Sequence, residues 1–271
     1  MKKQANCLRC LKYQEIGAKR HSQITGSLPR PANGGRAEIG QAVGLEERFS
    51  CPIGATSCSL YYSTGAFPSD HSIAILVFKG TSSLRQWMSN IDTLPVSWEP
   101  CGHVHGGFAK AFAGAWDTLG PRLEALKVPL FISGHSLGGA LATLATARLS
   151  RPPIATYTFG SPRVGNQTFA EQCLQGAALY RVVNHLDMIC SVPRPVSVSR
   201  RLRFAHAGET VRFDGNGARL QGEGALNDSA EPSIRRLFKD AFQSTRPPRA
   251  LADHAILLYV DRLRRLVDSA T

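Results

Sequence analysis

Gly134-His135-Ser136-Leu137-Gly138 is the only GxSxG in the chain. A nucleophilic serine needs a sharp turn between strand and helix that exposes its hydroxyl. It also needs flanking glycines where side chains would clash, and a helix N-terminus beneath to favour developing negative charge. The neighbouring residues supply that setting. VPLFIS (Val128 to Ser133) is a short apolar run of strand type, and ALATLATARL after the glycines is alanine- and leucine-rich, with helical character. Ser136 is the candidate nucleophile.

A hydroxyl attacks poorly until a histidine takes its proton, and that histidine must be held by a carboxylate. In this setting the order along the chain is serine, acid, histidine. Only His185, His206 and His254 follow Ser136. His185 lies too close to the strand end that should supply the acid, and His206 sits in an expected hairpin. His254, ahead of an amphipathic segment, is the candidate base. Loops at the carboxyl ends of parallel strands converge on one site, so Asp187, just after LYRVVN, is the candidate acid. Asp214, Asp228 and Asp240 lie in polar, surface-like segments, and Asp253 reads as a helix cap.

A tetrahedral oxyanion needs preorganised donors. The backbone N–H of Leu137 is one, and Thr81, in Lys79-Gly80-Thr81 after an early strand, is the second candidate. Leu84, Trp87, Met88 and Ile91 follow at i, i+3, i+4 and i+7. They predict a short amphipathic helix, either packed on the core or serving as a lid over the site, and its place beside the oxyanion loop favours the lid. Cys7-x-x-Cys10 and the pair His103 and His105 each lack further ligands, so no metal is expected. Serine chemistry of this kind requires no organic cofactor.

These residues need a scaffold. SLYYST from Ser59, IAILVFKG (Ile73 to Gly80), VPLFIS, IATYTFG (Ile154 to Gly160) and LYRVVN (Leu179 to Asn184) read as strands, several continuously apolar as in a sheet covered on both faces. Helical stretches alternate with them, including one near Phe169 to Leu174. The pattern predicts an α/β fold with a largely parallel sheet. LRFAHAG and TVRFDG suggest a hairpin, Asn216 to Ser233 a polar surface stretch, and HAILLYVDRLRRLV from His254 a closing helix with Leu257, Val260 and Leu263 on its apolar side. Residues 1–50 read as a basic extension of unknown role, a loose lead-in or a peripheral helix, ahead of a domain spanning 51–271.

The chain has 271 residues and a formal net charge of +12, with 43% hydrophobic and 19% charged residues. That composition excludes disordered and collagen-like classes and implies a sizeable core. The positive charge is scattered, with neither a recognition helix nor interleaved stacking aromatics, so no specific nucleic-acid partner is expected. No apolar run approaches the roughly 18 residues of a membrane span, and the N-terminal sequence lacks a secretory apolar region. A cytoplasmic location is the expectation, with export by a non-classical route as the alternative. The seven cysteines are an odd number without an evident framework, which predicts reduced thiols.

Six segments, in order, resemble class 3 lipases, the fungal triacylglycerol lipase type within the α/β-hydrolases. They are LVFKGTSSLRQW, VHGGF (Val104 to Phe108), GHSLGGALA (Gly134 to Ala142), TFGSPRVGN (Thr158 to Asn166), RVVNHLDMICSVP (Arg181 to Pro193) and DHAILLY with His254. The similarity covers about residues 73 to 260. Lys79 stands where arginine is usual, and residues 1–50 and 216–249 match nothing in the pattern. The resemblance implies an α/β-hydrolase fold, a mostly parallel central sheet flanked by helices, with a short helical lid. It also implies nucleophile Ser136, acid Asp187, base His254, oxyanion donors Thr81 and Leu137, and metal-free ester hydrolysis. The expected function is that of a serine hydrolase acting on lipid-like esters, in transient contact with a lipid interface. Its rivals are a phospholipase A1, a soluble-ester esterase and a catalytically silent lipid binder.

Overall fold

A computed structural model describes residues 44–54, 56–63, 72–81, 94–193, 202–220 and 252–269. Its main sheet is built from β1 (Leu45–Ile53), β2 (Thr56–Ser63), β3 (Ala74–Phe78), β6 (Leu130–His135), β7 (Ala155–Phe159), β9 (Leu179–Asn184), β11 (Glu209–Phe213) and β12 (Arg219–Leu220). They lie side by side in the order β1-β2-β3-β6-β7-β9-β11-β12. The five strands from β3 to β11 run parallel. β1, β2 and β12 attach antiparallel at the two edges. A smaller antiparallel sheet joins β4 (Pro95–Ser97), β5 (His103–His105), β8 (Gly165–Asn166) and β10 (Phe204–Ala205).

The period of two along β3 divides the core. Ala74, Leu76 and Phe78 face one layer and Ile75 and Val77 the other. The first layer contains α1 (Gly106–Glu124), whose buried Phe108, Phe112, Ala115, Leu119 and Leu123 recur at helical spacing, and α2 (Leu137–Arg148). α2 is buried on nearly every side, which its small residues Gly138, Gly139, Ala140, Ala142 and Ala145 allow. The second layer is α3 (Ile256–Asp268), which presses Ile256, Tyr259, Val260 and Leu263 onto the sheet. Among the described residues no helix is long and apolar enough to cross a membrane.

Several expectations need correction. β1 begins at Leu45, so the main sheet takes residues from both sides of position 50. LRFAHAG and TVRFDG do not form a hairpin. β10 joins β8 in the small sheet and β11 lies parallel to β9, because Gly208, at φ +82°, packs against Leu179 and redirects the chain between them. Leu257 is half exposed, since the buried stripe of α3 runs through Ile256, Tyr259, Val260 and Leu263. The cysteines are not all reduced, because Cys101 and Cys173 are joined by a disulfide. Pairing of β5 with β8 draws together Cys101 and Cys173, 72 residues apart in sequence, a proximity that cysteine spacing does not encode. The expected lid residues Leu84, Trp87, Met88 and Ile91, together with Asp228, Asp240, Cys7 and Cys10, lie outside the described residues.

Candidate active site

Ser136 is the single residue between β6 and α2. Its backbone takes φ +58° and ψ −126°, a conformation that costs a residue with a side chain about 1–3 kcal/mol. The surrounding chain enforces it. The Ser136 N–H donates to the Phe159 carbonyl at 2.9 Å, and the Gly139 N–H donates to the Ser136 carbonyl at 2.9 Å. A Cβ on Gly134 would lie 2.0 Å from the Gly138 carbonyl oxygen, and one on Gly138 would lie 2.2 Å from the Phe78 carbonyl oxygen. Only glycine lets the start of α2 sit this close to β3 and β6, and that proximity aims the positive end of the helix dipole at Ser136.

Asp187 follows β9 and is 2% exposed. Its carboxylate accepts the Ile189 N–H at 2.9 Å and the His254 Nδ1–H at 2.8 and 3.0 Å. It also accepts the Tyr259 hydroxyl, which in turn accepts the Asn184 N–H at 3.2 Å. Burial pushes the Asp187 carboxyl up. The charge and hydrogen bond of His254, with the Tyr259 and Ile189 donors, outweigh burial and hold it below the usual carboxylate value. Burial and the Asp187 charge push the Tyr259 hydroxyl well above its ordinary value, so it stays a donor. An ionised carboxylate at Nδ1 fixes the His254 tautomer with Nε2 free to accept a proton.

His254 Nε2 and the Ser136 hydroxyl are both buried without a hydrogen-bond partner among the described residues. Gly160, at φ +56°, lies against Asp187 and His254. A Cβ there would be 2.5 Å from Asp187 Oδ2 and 2.9 Å from His254 Nδ1. The oxyanion candidates also converge. Leu137 opens α2, where N–H groups precede the first intrahelical bonds. The segment leading to Thr81 passes beside the serine, so that a Cβ on Gly80 would be 3.5 Å from Ser136 Cβ. β2 anchors that segment: the Lys79 N–H donates to the Ser57 carbonyl at 2.9 Å and the Thr56 hydroxyl to the Lys79 carbonyl.

Three contributors were not legible as such. Tyr259, five residues beyond His254, reads only as a core position of α3. His135 stacks on His254 with ring centroids 4.5 Å apart and donates Nε2–H to the His254 carbonyl at 2.9 Å. Burial first, and the neighbouring His254 second, push its imidazole down to about 3, so the ring is neutral. Asp253 is not a helix cap, because Ala255 holds that position in α3. Instead Asp253 accepts His185 Nδ1–H at 2.9 Å and the Leu186 N–H at 3.4 Å, while its carbonyl accepts Asn184 Nδ2–H at 2.9 Å. The loop carrying His185 and Asp187 and the loop carrying Asp253 and His254 are thus joined by two crossed His–Asp pairs.

The remaining candidates lie apart. His206 donates Nε2–H to the Cys190 carbonyl at 2.7 Å, and burial followed by Arg181 and Arg163 pushes its imidazole well below its ordinary value. Asp214 accepts the Asn216 and Ala218 N–H groups within a turn. His105 is buried with its ring 4.3 Å from that of Phe108. Among the described residues no group of three or more His, Cys, Asp or Glu could hold a metal.

The parallel sheet, Ser136 on a strained turn between β6 and α2, and the Asp187–His254 pair on later loops define an α/β-hydrolase fold. Residues 75–197 match the family model described as Lipase (class 3). The chain is 34% identical to a lipase of Rhizomucor miehei over 173 residues, 57% of this chain and 46% of the relative. It is 35% identical to the secreted mono- and diacylglycerol lipase 1 of Fusarium solani over 130 residues, 44% of this chain and 39% of the relative. It is also 28% identical to a phospholipase A1-II 1 of rice over 176 residues, 52% and 42% of the two chains. The solved structure of the Rhizomucor miehei triacylglyceride lipase superimposes with a TM-score of 0.55 at 26% identity, covering 68% of this chain and 76% of that one. Over the matched region the chain is similar to the class 3 lipase family. It spans less than half the length of these curated relatives.

The cytoplasmic location expected from the N-terminal sequence does not stand. The Fusarium solani relative is named a secreted enzyme, and the Cys101–Cys173 disulfide is a bond characteristic of oxidising compartments.

Proposed function

We propose that this protein is a serine carboxylic-ester hydrolase that cleaves lipid-like esters through an acyl-enzyme on Ser136. The observation that carries the reading is the buried Asp187–His254 pair packed against Gly160, directly after Phe159, whose carbonyl accepts the N–H of Ser136 on its strained turn. When substrate draws the Ser136 hydroxyl and His254 Nε2 together, His254 takes the hydroxyl proton as Oγ attacks the ester carbonyl. Asp187, kept ionised, holds the ring and stabilises the imidazolium. The Leu137 N–H and Thr81 receive the oxyanion. His254 then protonates the leaving alcohol, and water, activated by the same imidazole, releases the acid. The relatives named as lipases support the lipid-ester substrate class.

A phospholipase A1 activity is the second reading, favoured by the rice relative. Hydrolysis of nitrophenyl esters from two to sixteen carbons, with Ser136→Ala alongside, tests the proposal. Turnover by wild type alone, rising for long chains above their solubility limit, is the expected result. Smooth saturation on short esters points to a soluble-ester esterase. Fatty acid released only from phospholipid moves the assignment to the second reading. Undiminished activity in Ser136→Ala overturns the mechanism.

A further inference from the structure

The β1–β2 hairpin holds two cysteines that the hydrolytic site does not use. Cys51 on β1 lies directly opposite Cys58 on β2, and both are free thiols in the structure. Directly opposed residues of an antiparallel pair have Cα atoms about 4.5–5.5 Å apart, within the roughly 4.4–6.8 Å that a disulfide spans. Their side chains point to one face. Cys58 is buried in the layer beneath α1, and the half-buried Cys51 packs against the same cluster. The two thiols are in contact with one another, and Cys51 also reaches the Pro52 carbonyl at 3.4 Å. The third free thiol among the described residues, Cys190, is fully buried elsewhere, close to Asp187 and Tyr259.

We propose that Cys51 and Cys58 form an oxidisable pair that closes into a cross-strand disulfide by exchange with a small-molecule disulfide of the oxidised-glutathione class. The Cys51 thiolate, on the more accessible side, attacks one sulfur of the oxidant. The oxidant's S–S bond breaks, and its other sulfur leaves with the electron pair and takes up a proton. The Cys58 thiolate then attacks Cys51 Sγ, the mixed disulfide breaks, and the second small thiol leaves and is protonated. Two protein thiols are oxidised, and the oxidant is reduced to two thiols. Burial, and next the neighbouring Cys51, push the Cys58 thiol up to about 12, so ring closure accelerates as pH rises. The Cys101–Cys173 bond shows that the fold already accommodates an oxidised cysteine pair.

The site has a structural reach. Cys58 is also the register partner of Phe78, and the neighbouring Ser57 and Thr56 hold both backbone groups of Lys79 at the start of the oxyanion segment. Closing the hairpin stiffens the strand that anchors that segment. The thiol chemistry itself is independent of what Ser136 does.

The full chain is incubated with oxidised glutathione at about pH 8.5, alkylated with N-ethylmaleimide in denaturant and digested with trypsin. Residues 49–79 form a single tryptic peptide whose only cysteines are Cys51 and Cys58. The expected product is that peptide two hydrogens lighter than its reduced form, unalkylated, and reopened by dithiothreitol. The oxidised protein should melt about 5 °C higher than the reduced one, a difference absent in Cys51→Ser. Alkylation of both cysteines, arrest at a glutathione adduct, or cross-linking to another cysteine peptide each overturns the proposal. A closed bond with an unchanged melting point overturns its hold on the hairpin.

Discussion

Gly160→Ala should separate the chemistry of the site from its stability. Gly160 sits at φ +56°, and an added Cβ would lie 2.5 Å from Asp187 Oδ2, 2.9 Å from His254 Nδ1 and 3.0 Å from His254 Cε1. Comfortable non-bonded contacts are about 3.5–4.0 Å, so the acid and base must retreat by several tenths of an ångström to about 1 Å. The backbone cost is modest. A left-handed alanine costs about 1–2 kcal/mol, and the reduced freedom of the unfolded chain offsets about 0.4–1 kcal/mol of it. A net loss near 1 kcal/mol lowers the melting temperature by about 2–4 °C in a domain of this size. Misplacement of catalytic groups by about 1 Å costs about 100-fold in rate, equivalent to about 2.7 kcal/mol of barrier. The variant should therefore melt almost like wild type while kcat on a nitrophenyl ester falls about 100-fold. A kcat within threefold of wild type in a folded variant would refute the claim that this glycine makes room for the Asp187–His254 pair.

Tyr259→Phe removes a donor to a buried charged carboxylate, a hydrogen bond of about 1.5–3 kcal/mol. Because the Asp187 carboxyl is held below its ordinary value, its contribution to stability is present above the unfolded carboxylate pKa of about 3.9 and is lost as pH falls through the lower folded value. Without the Tyr259 hydroxyl the folded value rises, so acid unfolding followed by circular dichroism should begin at higher pH. His135→Phe keeps the ring against His254 but loses the bond to its carbonyl, and kcat should fall about fivefold. With His135 neutral above its depressed value of about 3, the limbs of the pH–rate profile should stay in place, which a kinetic pH titration checks. Asp253→Asn and His185→Gln each weaken the second crossed pair and should lower kcat about fivefold with little change in KM. The double variant should fall no further than the worse single one, and additive losses in kcat would show that the two residues do not act together.

What the sequence made legible was local. The strand, turn and helix around Ser136 could be read because an apolar β-type run, two spaced glycines and an alanine-rich stretch occupy consecutive positions. Asp187 and His254 could be paired because strand ends of a parallel sheet converge, and the structure brings these two side chains into contact. What stayed hidden depends on contacts across the fold. Nothing in the spacing of Tyr259 shows that its hydroxyl meets Asp187, since that meeting requires α3 to lie over β9. Asp253 resembles a helix cap until His185, at φ +45°, turns toward it. Cys101 and Cys173 are brought together by a small sheet whose strands are two or three residues long, too short for periodicity to reveal.

The central claim is that Ser136 is the nucleophile activated by His254 and Asp187, and covalent labelling with a fluorophosphonate tests it most directly. Such reagents react with a serine only when an adjacent base activates it. Mass spectrometry of the digested wild-type protein should place one phosphonyl group on the peptide containing Ser136. Labelling should disappear in Ser136→Ala and be strongly slowed in His254→Ala. A label on another residue, or equal labelling of Ser136 in folded His254→Ala, would contradict the account.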